Sequence, residues 1–105
     1  MQNELIDKVS RRIYNVLTML MYEDEYGRIC SKGRCCFSDV LAVLDDVDEE
    51  IAFAFLKALH KISVIDLSYE KDNIGYPLTI GVGSEGLNVY KLYKQMDELE
   101  MLEEI

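Results

Sequence analysis

The sequence predicts a mainly helical α+β domain, and three features indicate this class. Apolar side chains recur at helical spacing near both ends, within residues 1–22 and 84–105. Two shorter helical patterns lie close together within residues 36–61, and residues 62–82 change to the composition of a β-hairpin. We therefore expect a single domain over residues 1–105, in the order helix, helix pair, two-stranded hairpin, helix.

The first helix is predicted over residues 3–22. Its apolar positions are three and four residues apart, which places them on one face: Ile6, Val9, Ile13, Val16, Leu17 and Leu20. Arg11 and Arg12 fall outside this stripe. Residues 23–35 contain two glycines and many polar side chains, so we expect a loop or a short hairpin there.

The middle of the chain predicts two short helices that must pack at an angle, because only two or three residues separate them. Ser38 is the expected N-cap of the first helix, residues 39–46. The inner face of that helix is predicted to contain Val40, Leu41 and Leu44. Asp48 is expected to cap the second helix, which continues to Lys61. The inner line of this second helix is Ala52, Leu56 and Leu59.

After residue 61 the apolar residues no longer recur at helical spacing, and the pattern that follows predicts two strands and a last helix. Residues 62–69 are β-prone, residues 70–75 have a turn composition, and residues 76–82 form the returning strand. Pro77 favours an edge position for this second strand. The last helix starts near residues 84–87. One side of it is lined by Val89, Leu92, Tyr93, Met96, Leu99 and Leu102.

The charge is strongly negative, with 20 acidic and 11 basic side chains among 105 residues and a formal net charge of -9. This acidity argues against a uniformly basic, polyanion-binding surface. The acidic residues concentrate within 36–61 and 85–105, whereas residues 1–35 carry a net charge of +1. The most basic stretch, Arg28 to Arg34, has three positive charges and no negative one.

Residues 48–65, Asp-Glu-Glu-Ile-Ala-Phe-Ala-Phe-Leu-Lys-Ala-Leu-His-Lys-Ile-Ser-Val-Ile, resemble the second helix of a winged helix–turn–helix and the start of its wing. The segment Ser84 to Leu92 resembles the "T-E-K-G" start of the last helix in MarR- and PadR-type regulators. The small winged-helix proteins of archaeal viruses have a similar layout. The resemblance covers residues 36–105 and implies a winged helix–turn–helix with a two-stranded wing.

In that family the second helix and the wing touch DNA, and the terminal helices pair two subunits. The resemblance therefore implies a homodimeric, DNA-binding transcriptional regulator in the cytoplasm, or in the host cytoplasm for a viral protein. The expected phosphate contacts are the basic residues Arg28, Lys32, Arg34, Lys57 and the wing-tip Lys71. The expected pairing surface contains Val89, Leu92, Met96 and Leu99. The apolar stripes of both end helices are too long for one small core to cover.

The second helix departs from this pattern where DNA contact would matter. Base-reading positions usually carry Ser, Thr, Arg, Gln or Asn, but here they are occupied by Glu50, Ile51, Phe53 and Ala54, and only Lys57 is basic. The alternative is an acidic winged-helix module that does not bind DNA and holds a protein partner through Ile51 and Phe53. The other placement of Phe53 is under the N-terminal helix or a subunit partner.

Residues 81–86, Gly-Val-Gly-Ser-Glu-Gly, match the GxGxxG pattern of dinucleotide-binding loops. That fold needs a second parallel strand after the helix, and no such strand is predicted here. The alternative is a strand-to-helix joint in which glycine permits a sharp turn.

Cys30, Cys35 and Cys36 form a C-x4-C-C cluster, and His60 is the only histidine. Three readings stay open: a metal site completed by His60, a disulfide such as Cys30–Cys35, and free thiols. Free thiols are the default, since no secretion signal is recognisable and no apolar run reaches the length of a membrane span. The lone histidine has no obvious catalytic partner, so we expect no enzyme, cofactor or metal.

Overall fold

The computed structural model describes residues 2–69 and 79–103, with side chains described for residues 8–69 and 79–99. These residues form an α+β fold. The helices are α1 (Gln2–Leu20), α2 (Phe37–Val43), α3 (Glu49–Lys61) and α4 (Gly86–Glu103). The strands are β1 (Met21–Glu23), β2 (Ile29–Ser31), β3 (Cys35–Cys36), β4 (Ile65–Ser68) and β5 (Thr79–Val82).

The five described strands form two small antiparallel sheets. β1 and β2 are a hairpin that confirms the alternative predicted for residues 23–35, with Tyr22 opposite Cys30. The second sheet has the order β3-β5-β4. β5 is therefore the central strand, and the prediction of an edge strand in a two-stranded hairpin was wrong. The strand β3 had too few residues to be recognised; Pro77 and residues 70–78 lie outside the described part.

One hydrophobic core joins the four helices and the three-stranded sheet. The C-terminal half of the α1 stripe is fully buried at Val16, Leu17 and Leu20, as the spacing predicted. Val9, nearer the start of that helix, is 36% exposed. The remaining core residues with less than 2% exposure are Val40, Leu44, Ala52, Leu56, Ile65 and Ile80. The three predicted inner positions of α3 are all buried.

The first helix of the central pair begins and ends earlier than the sequence predicted. α2 starts at Phe37, and its N-cap is Cys36 rather than Ser38. Burial of the Phe37 ring explains the difference, because the aromatic side chain is drawn into the core at the first helical position. Asp48 does occupy the N-cap of α3, but its backbone carbonyl rather than its side chain accepts the hydrogen bond, from Ala52 N at 2.8 Å.

α3 ends in a Schellman motif with serine at the position usually held by glycine. Val64 N donates to Leu59 O at 2.9 Å, and Ser63 N donates to His60 O at 3.0 Å. Ser63 adopts the left-handed conformation, with φ of 66°. This tight reversal starts β4 directly against α3.

α4 packs against α1, and Tyr14 and Tyr90 are in contact between them. The rings of Tyr14 and Tyr90 stack, with centroids 5.8 Å apart and planes at 22°. Burial, together with the neighbouring Tyr90, raises the pKa of Tyr14. Lys94 makes an ion pair with Glu23 of β1, and this hydrogen bond raises the pKa of Lys94. Among the helices of the described residues, none is long and apolar enough to cross a membrane.

Candidate nucleic-acid interface

The exposed surface of α3 is divided into an acidic first half and a basic second half. Glu49 and Glu50 occupy the first turn, and the last turn contains His60 and Lys61. Lys57 and Lys61 are both exposed and lie one helical turn apart. Lys61 was not among the predicted contacts, although its spacing of four residues from Lys57 indicated a shared face.

Phe53 is partly buried and packs against the core. Its ring packs edge-on against Phe37 of α2, with centroids 5.8 Å apart and an interplanar angle of 80°. Lys57 Nζ lies 5.2 Å from the centroid of the same ring. Ile51, by contrast, is 54% exposed beside the acidic first turn. Ile51 is therefore a large apolar side chain that this helix exposes to solvent.

Arg34 lies across the outer face of the three-stranded sheet. Its Nη1 donates to Asp66 Oδ2 at 2.8 Å, and its Nε donates to Thr79 Oγ1 at 2.9 Å. Its Nη2 also donates to the backbone oxygens of Asp66 and Thr79. The guanidinium crosses above Gly81, where a Cβ atom would lie 2.8 Å from Nη1. Arg34 is thus a cation fixed on the sheet surface, with 40% of its side chain still exposed.

Arg28 and Lys32 belong to the other sheet and are held by different partners. Arg28 Nε donates to Asp24 Oδ2 at 2.8 Å, and the guanidinium lies over the ring of Tyr26. Lys32 Nζ donates to Thr18 O at 2.9 Å, at the C-terminal end of α1, where a positive charge is favourable. The most basic stretch of the sequence is therefore divided between two sheets.

Asp24 organises the β1–β2 hairpin. Its Oδ1 accepts hydrogen bonds from Tyr26 N at 2.9 Å and Arg28 N at 2.8 Å. The hydrogen bonds from the backbone and side chain of Arg28 lower the pKa of this carboxyl group. No role was predicted for Asp24, although an aspartate at the start of a polar loop is typical of such a turn.

Of the five predicted phosphate contacts, the structure places Lys57 on α3, Arg34 on the three-stranded sheet, and Arg28 and Lys32 at the hairpin. Lys71 lies outside the described residues. Asp66, the partner of Arg34, lies 32 positions away in the chain and gave no local signal of this role.

A groove of about 320 Å³ lies between α1 and the end of α2. Its lining residues are Lys8, Arg11, Arg12, Asn15, Val43, Asp45 and Asp46. Arg12 Nη2 donates to Asp46 Oδ2 at 2.7 Å, and this hydrogen bond lowers the pKa of Asp46. The two carboxylates offset two of the three cations, so the groove provides only a weak positive field.

The three cysteines are free thiols in the structure. Cys30 lies in β2, whereas Cys35 lies in β3 of the other sheet, where its thiol donates to Met19 O at 3.5 Å. His60 Nδ1 lies 3.3 Å from Ile65 O. Within residues 2–69 and 79–103, no three His, Cys, Asp or Glu side chains are grouped so that they could hold a metal ion.

The glycines of the GxGxxG segment are explained by close packing at the joint between β5 and α4. A Cβ atom on Gly83 would lie 2.7 Å from the carbonyl carbon of Ser63, and one on Gly86 would lie 2.5 Å from Val64 O. The strand β5 is antiparallel to both neighbours, which is not the parallel arrangement of a dinucleotide-binding fold.

The predicted pairing surface on α4 is partly open. Val89 packs against the core, whereas Leu92, Met96 and Leu99 are 55%, 48% and 60% exposed. These three side chains follow the spacing i, i+4, i+7, so they share one face of the helix. The side chain of Leu102 lies outside the described part.

Comparison with known proteins gave no match: no family model, no curated protein and no solved structure corresponds to the chain. The functional proposal therefore rests on the residues of this chain alone.

Proposed function

We propose that the chain is a winged-helix, DNA-binding transcriptional regulator that acts as a homodimer. The observation that carries this proposal is the element order β3-α2-α3-β4-β5, preceded by α1 and the β1–β2 hairpin, in which the two-residue strand before α2 joins the sheet formed after α3. A winged helix has this order, with α3 as the helix that enters the major groove.

The distribution of cations around this unit supports contact with phosphates. Lys57 and Lys61 extend from the second half of α3, and Arg34 lies on the sheet that would form the wing. The acidic first turn of α3 is at the end of the helix that contacts base edges in this arrangement, so Glu49 and Glu50 oppose binding and the cations must outweigh them. Arg28, at the β1–β2 hairpin, would contact a flanking phosphate. These contacts bind the DNA backbone, so they provide affinity rather than base selection.

The homodimer is supported by the open face of α4. Leu92, Met96 and Leu99 expose apolar surface along two turns of helix, on the side that the described core leaves uncovered. Pairing of two copies would remove this surface from water, at about 25 cal/mol per Å² of apolar area. Two α3 helices related by a twofold axis would then address two half-sites of a duplex.

A second function is supported by one observation, the exposure of Ile51 beside Glu49 and Glu50. An apolar side chain with an acidic rim suits a protein partner that carries a basic rim around an apolar pocket. In this alternative the chain is an acidic winged-helix module that does not bind DNA.

A mobility-shift titration with a random duplex at low salt tests the proposal. We expect retardation that weakens steeply as salt rises, because bound counterions are released from the phosphates. Lys57→Glu and Lys61→Glu should each weaken binding by about tenfold. Lys8→Glu, which makes the same change of charge on α1, serves as the matched control.

Absence of retardation at low salt would contradict the proposal, as would an equal effect of the Lys8→Glu control. If DNA is not retained, the second function predicts that Ile51→Asp abolishes capture of a protein partner. Ile51 is preferable to Phe53 for this test, because Phe53 packs against Phe37 and its replacement would disturb α2.

A further inference from the structure

The hydrogen-bond donors of Arg34 are almost all used within the chain itself. A guanidinium has five N–H groups: one on Nε and two on each Nη. Nε donates to Thr79 Oγ1, Nη1 donates to Asp66 Oδ2, and Nη2 donates to the backbone oxygens of the same two residues. Among the residues that the structure describes, the second N–H of Nη1 has no acceptor. An anion that approaches Arg34 therefore meets a carboxylate that already holds the cation.

Two hydroxyl groups lie on the same face of the sheet as this ion pair. Thr79 and Ser68 are register partners in β5 and β4, and each is two residues from a member of the row Gly81–Asp66, so all four positions share the outer face. Directly opposite side chains have Cβ atoms about 5 Å apart. Ser68 is exposed. Thr79 Oγ1 accepts from Arg34 Nε, so its own hydroxyl proton is available to donate.

From this arrangement we infer that the outer face of the three-stranded sheet is a phosphate-binding site in which the Asp66 carboxylate competes with the ligand. A phosphate oxygen that replaces the carboxylate accepts from both N–H groups of Arg34 Nη1. The hydroxyls of Thr79 and Ser68 then donate to the other phosphate oxygens. Nε and Nη2 keep their present acceptors, so the guanidinium stays in place across the sheet.

The competition determines which phosphates are bound. The Arg34–Asp66 pair has no net charge, so it attracts a distant anion weakly. The fold holds the carboxylate 2.8 Å from Nη1, which gives it an advantage over free phosphate in solution. A phosphate of a duplex that Lys57 and Lys61 already hold has a far higher local concentration. The inference rests on the proposed function for this source of phosphate, and free inorganic phosphate provides the same chemistry as a probe.

Asp66→Asn tests the competition. Asparagine has nearly the same shape and its side-chain oxygen still accepts a hydrogen bond from Nη1, but the negative charge is removed. We expect inorganic phosphate to bind this variant about fivefold tighter than it binds the unchanged chain, because a like charge at about 4 Å is lost. Phosphate is titrated at constant ionic strength. The NMR signals of the Arg34 Nε–H group and of the Thr79 and Ser68 amides report its binding.

Two further variants serve as controls. Glu98→Gln makes the same change of charge on α4, where Glu98 acts on Lys94, and should alter phosphate binding by less than about twofold. Ser68→Ala removes a hydroxyl that is not a partner of Arg34, and in the Asp66→Asn chain it should weaken phosphate binding by about threefold. Urea unfolding verifies that every variant is folded. The inference is overturned if Asp66→Asn does not tighten phosphate binding, if Glu98→Gln tightens it equally, or if the signals of Thr79 and Ser68 do not move.

A mobility-shift titration of the same variants with a random duplex separates this inference from the proposed function. Tighter binding of both probes by Asp66→Asn supports the site and the DNA backbone as its source of phosphate. If Asp66→Asn tightens phosphate binding but no variant retains a duplex, the phosphate site is supported and DNA binding is contradicted. If the chain retains a duplex while Asp66→Asn leaves the binding of both probes unchanged, DNA binding is supported and the phosphate site is overturned.

Discussion

Arg34 and Asp66 form a salt bridge that spans the central strand of the three-stranded sheet. Arg34 precedes β3 at one edge, Asp66 lies in β4 at the other, and the guanidinium crosses above Gly81 of β5. Gly81 is the register partner of Asp66, so its missing side chain opens the path between the two edges. The guanidinium of Arg34 thereby links all three strands of the sheet.

Replacing Gly81 tests this arrangement. In Gly81→Ala the new Cβ displaces the guanidinium, and we expect the free energy of unfolding to fall by about 1 kcal/mol, the value of one hydrogen-bonded charge pair at a partly exposed site. In an Arg34→Ala background the same change should be neutral or stabilising, because alanine suits a strand better than glycine. Urea unfolding of the four proteins measures this coupling.

Arg34→Lys is the control for charge alone. A lysine keeps the positive charge but cannot provide the guanidinium's several directed donors. We expect it to lose most of the coupling to Gly81. Equal costs of Gly81→Ala in both backgrounds would contradict the role of the crossing side chain.

Ser63→Gly should stabilise the protein. Ser63 holds φ of 66° at the end of α3, a conformation that costs a side-chain-bearing residue about 1 kcal/mol and glycine almost nothing. We expect the free energy of unfolding to rise by about 0.5 kcal/mol after the greater chain entropy of glycine is included. Thermal unfolding measures the change. Ser68→Gly in β4 is the matched control and should destabilise, and a loss of stability at both positions would refute the explanation.

Gly83→Ala should be among the most damaging small substitutions. The added methyl group would meet the backbone of Ser63 and lie 3.0 Å from Ile65 O, and backbone cannot move aside as a side chain can. We expect a loss of about 3 kcal/mol in the free energy of unfolding, measured by urea titration. Ser84→Ala, at the exposed neighbouring position, should change it by less than about 0.5 kcal/mol. Similar results for the two would be inconsistent with this close approach.

The β1–β2 hairpin should loosen at acid pH. Hydrogen bonds from Arg28 lower the pKa of Asp24 in the folded protein below the value of about 3.9 in an unfolded chain. The stabilisation is therefore complete above that value and is lost as the pH falls through the lower, folded pKa. The amide resonances of Tyr26 and Arg28 should titrate with a midpoint below about 3.9. Asp24→Asn should remove this titration; a midpoint at or above the ordinary value would disprove the assignment.

Periodicity predicted the long elements well because burial follows it closely. The C-terminal half of the α1 stripe and the line Ala52, Leu56 and Leu59 are buried where the spacing placed them. The boundary of α2 was missed because Ser38 is a good capping residue, and the burial of Phe37 outweighs that local preference. β3 was missed because a strand of two residues is too short to show an alternating pattern of apolar and polar side chains. Its pairing with β5 also depends on tertiary structure.

The candidate site was less predictable than the fold. Lys57 was placed correctly on the exposed side of α3, since helical spacing determines which side chains leave the core. The surroundings of Arg34 depend on Asp66 and Thr79, and such distant partners have no signature in one sequence. The burial of Phe53 against Phe37 is likewise a contact between elements.

The backbone at Ser63 connects the end of α3 to the segment that leads into α4. Glu85 N donates to Ser63 O at 2.8 Å and Gly83 N donates to Val64 O at 3.0 Å, so main-chain hydrogen bonds tie the end of one helix to the approach of the other. The close contacts at Gly83 and Gly86 leave no free space at this joint, so we expect α3 and α4 to move together as one rigid unit. In the proposed dimer, the crossing angle of the paired α4 helices would thus set the distance between the two α3 helices.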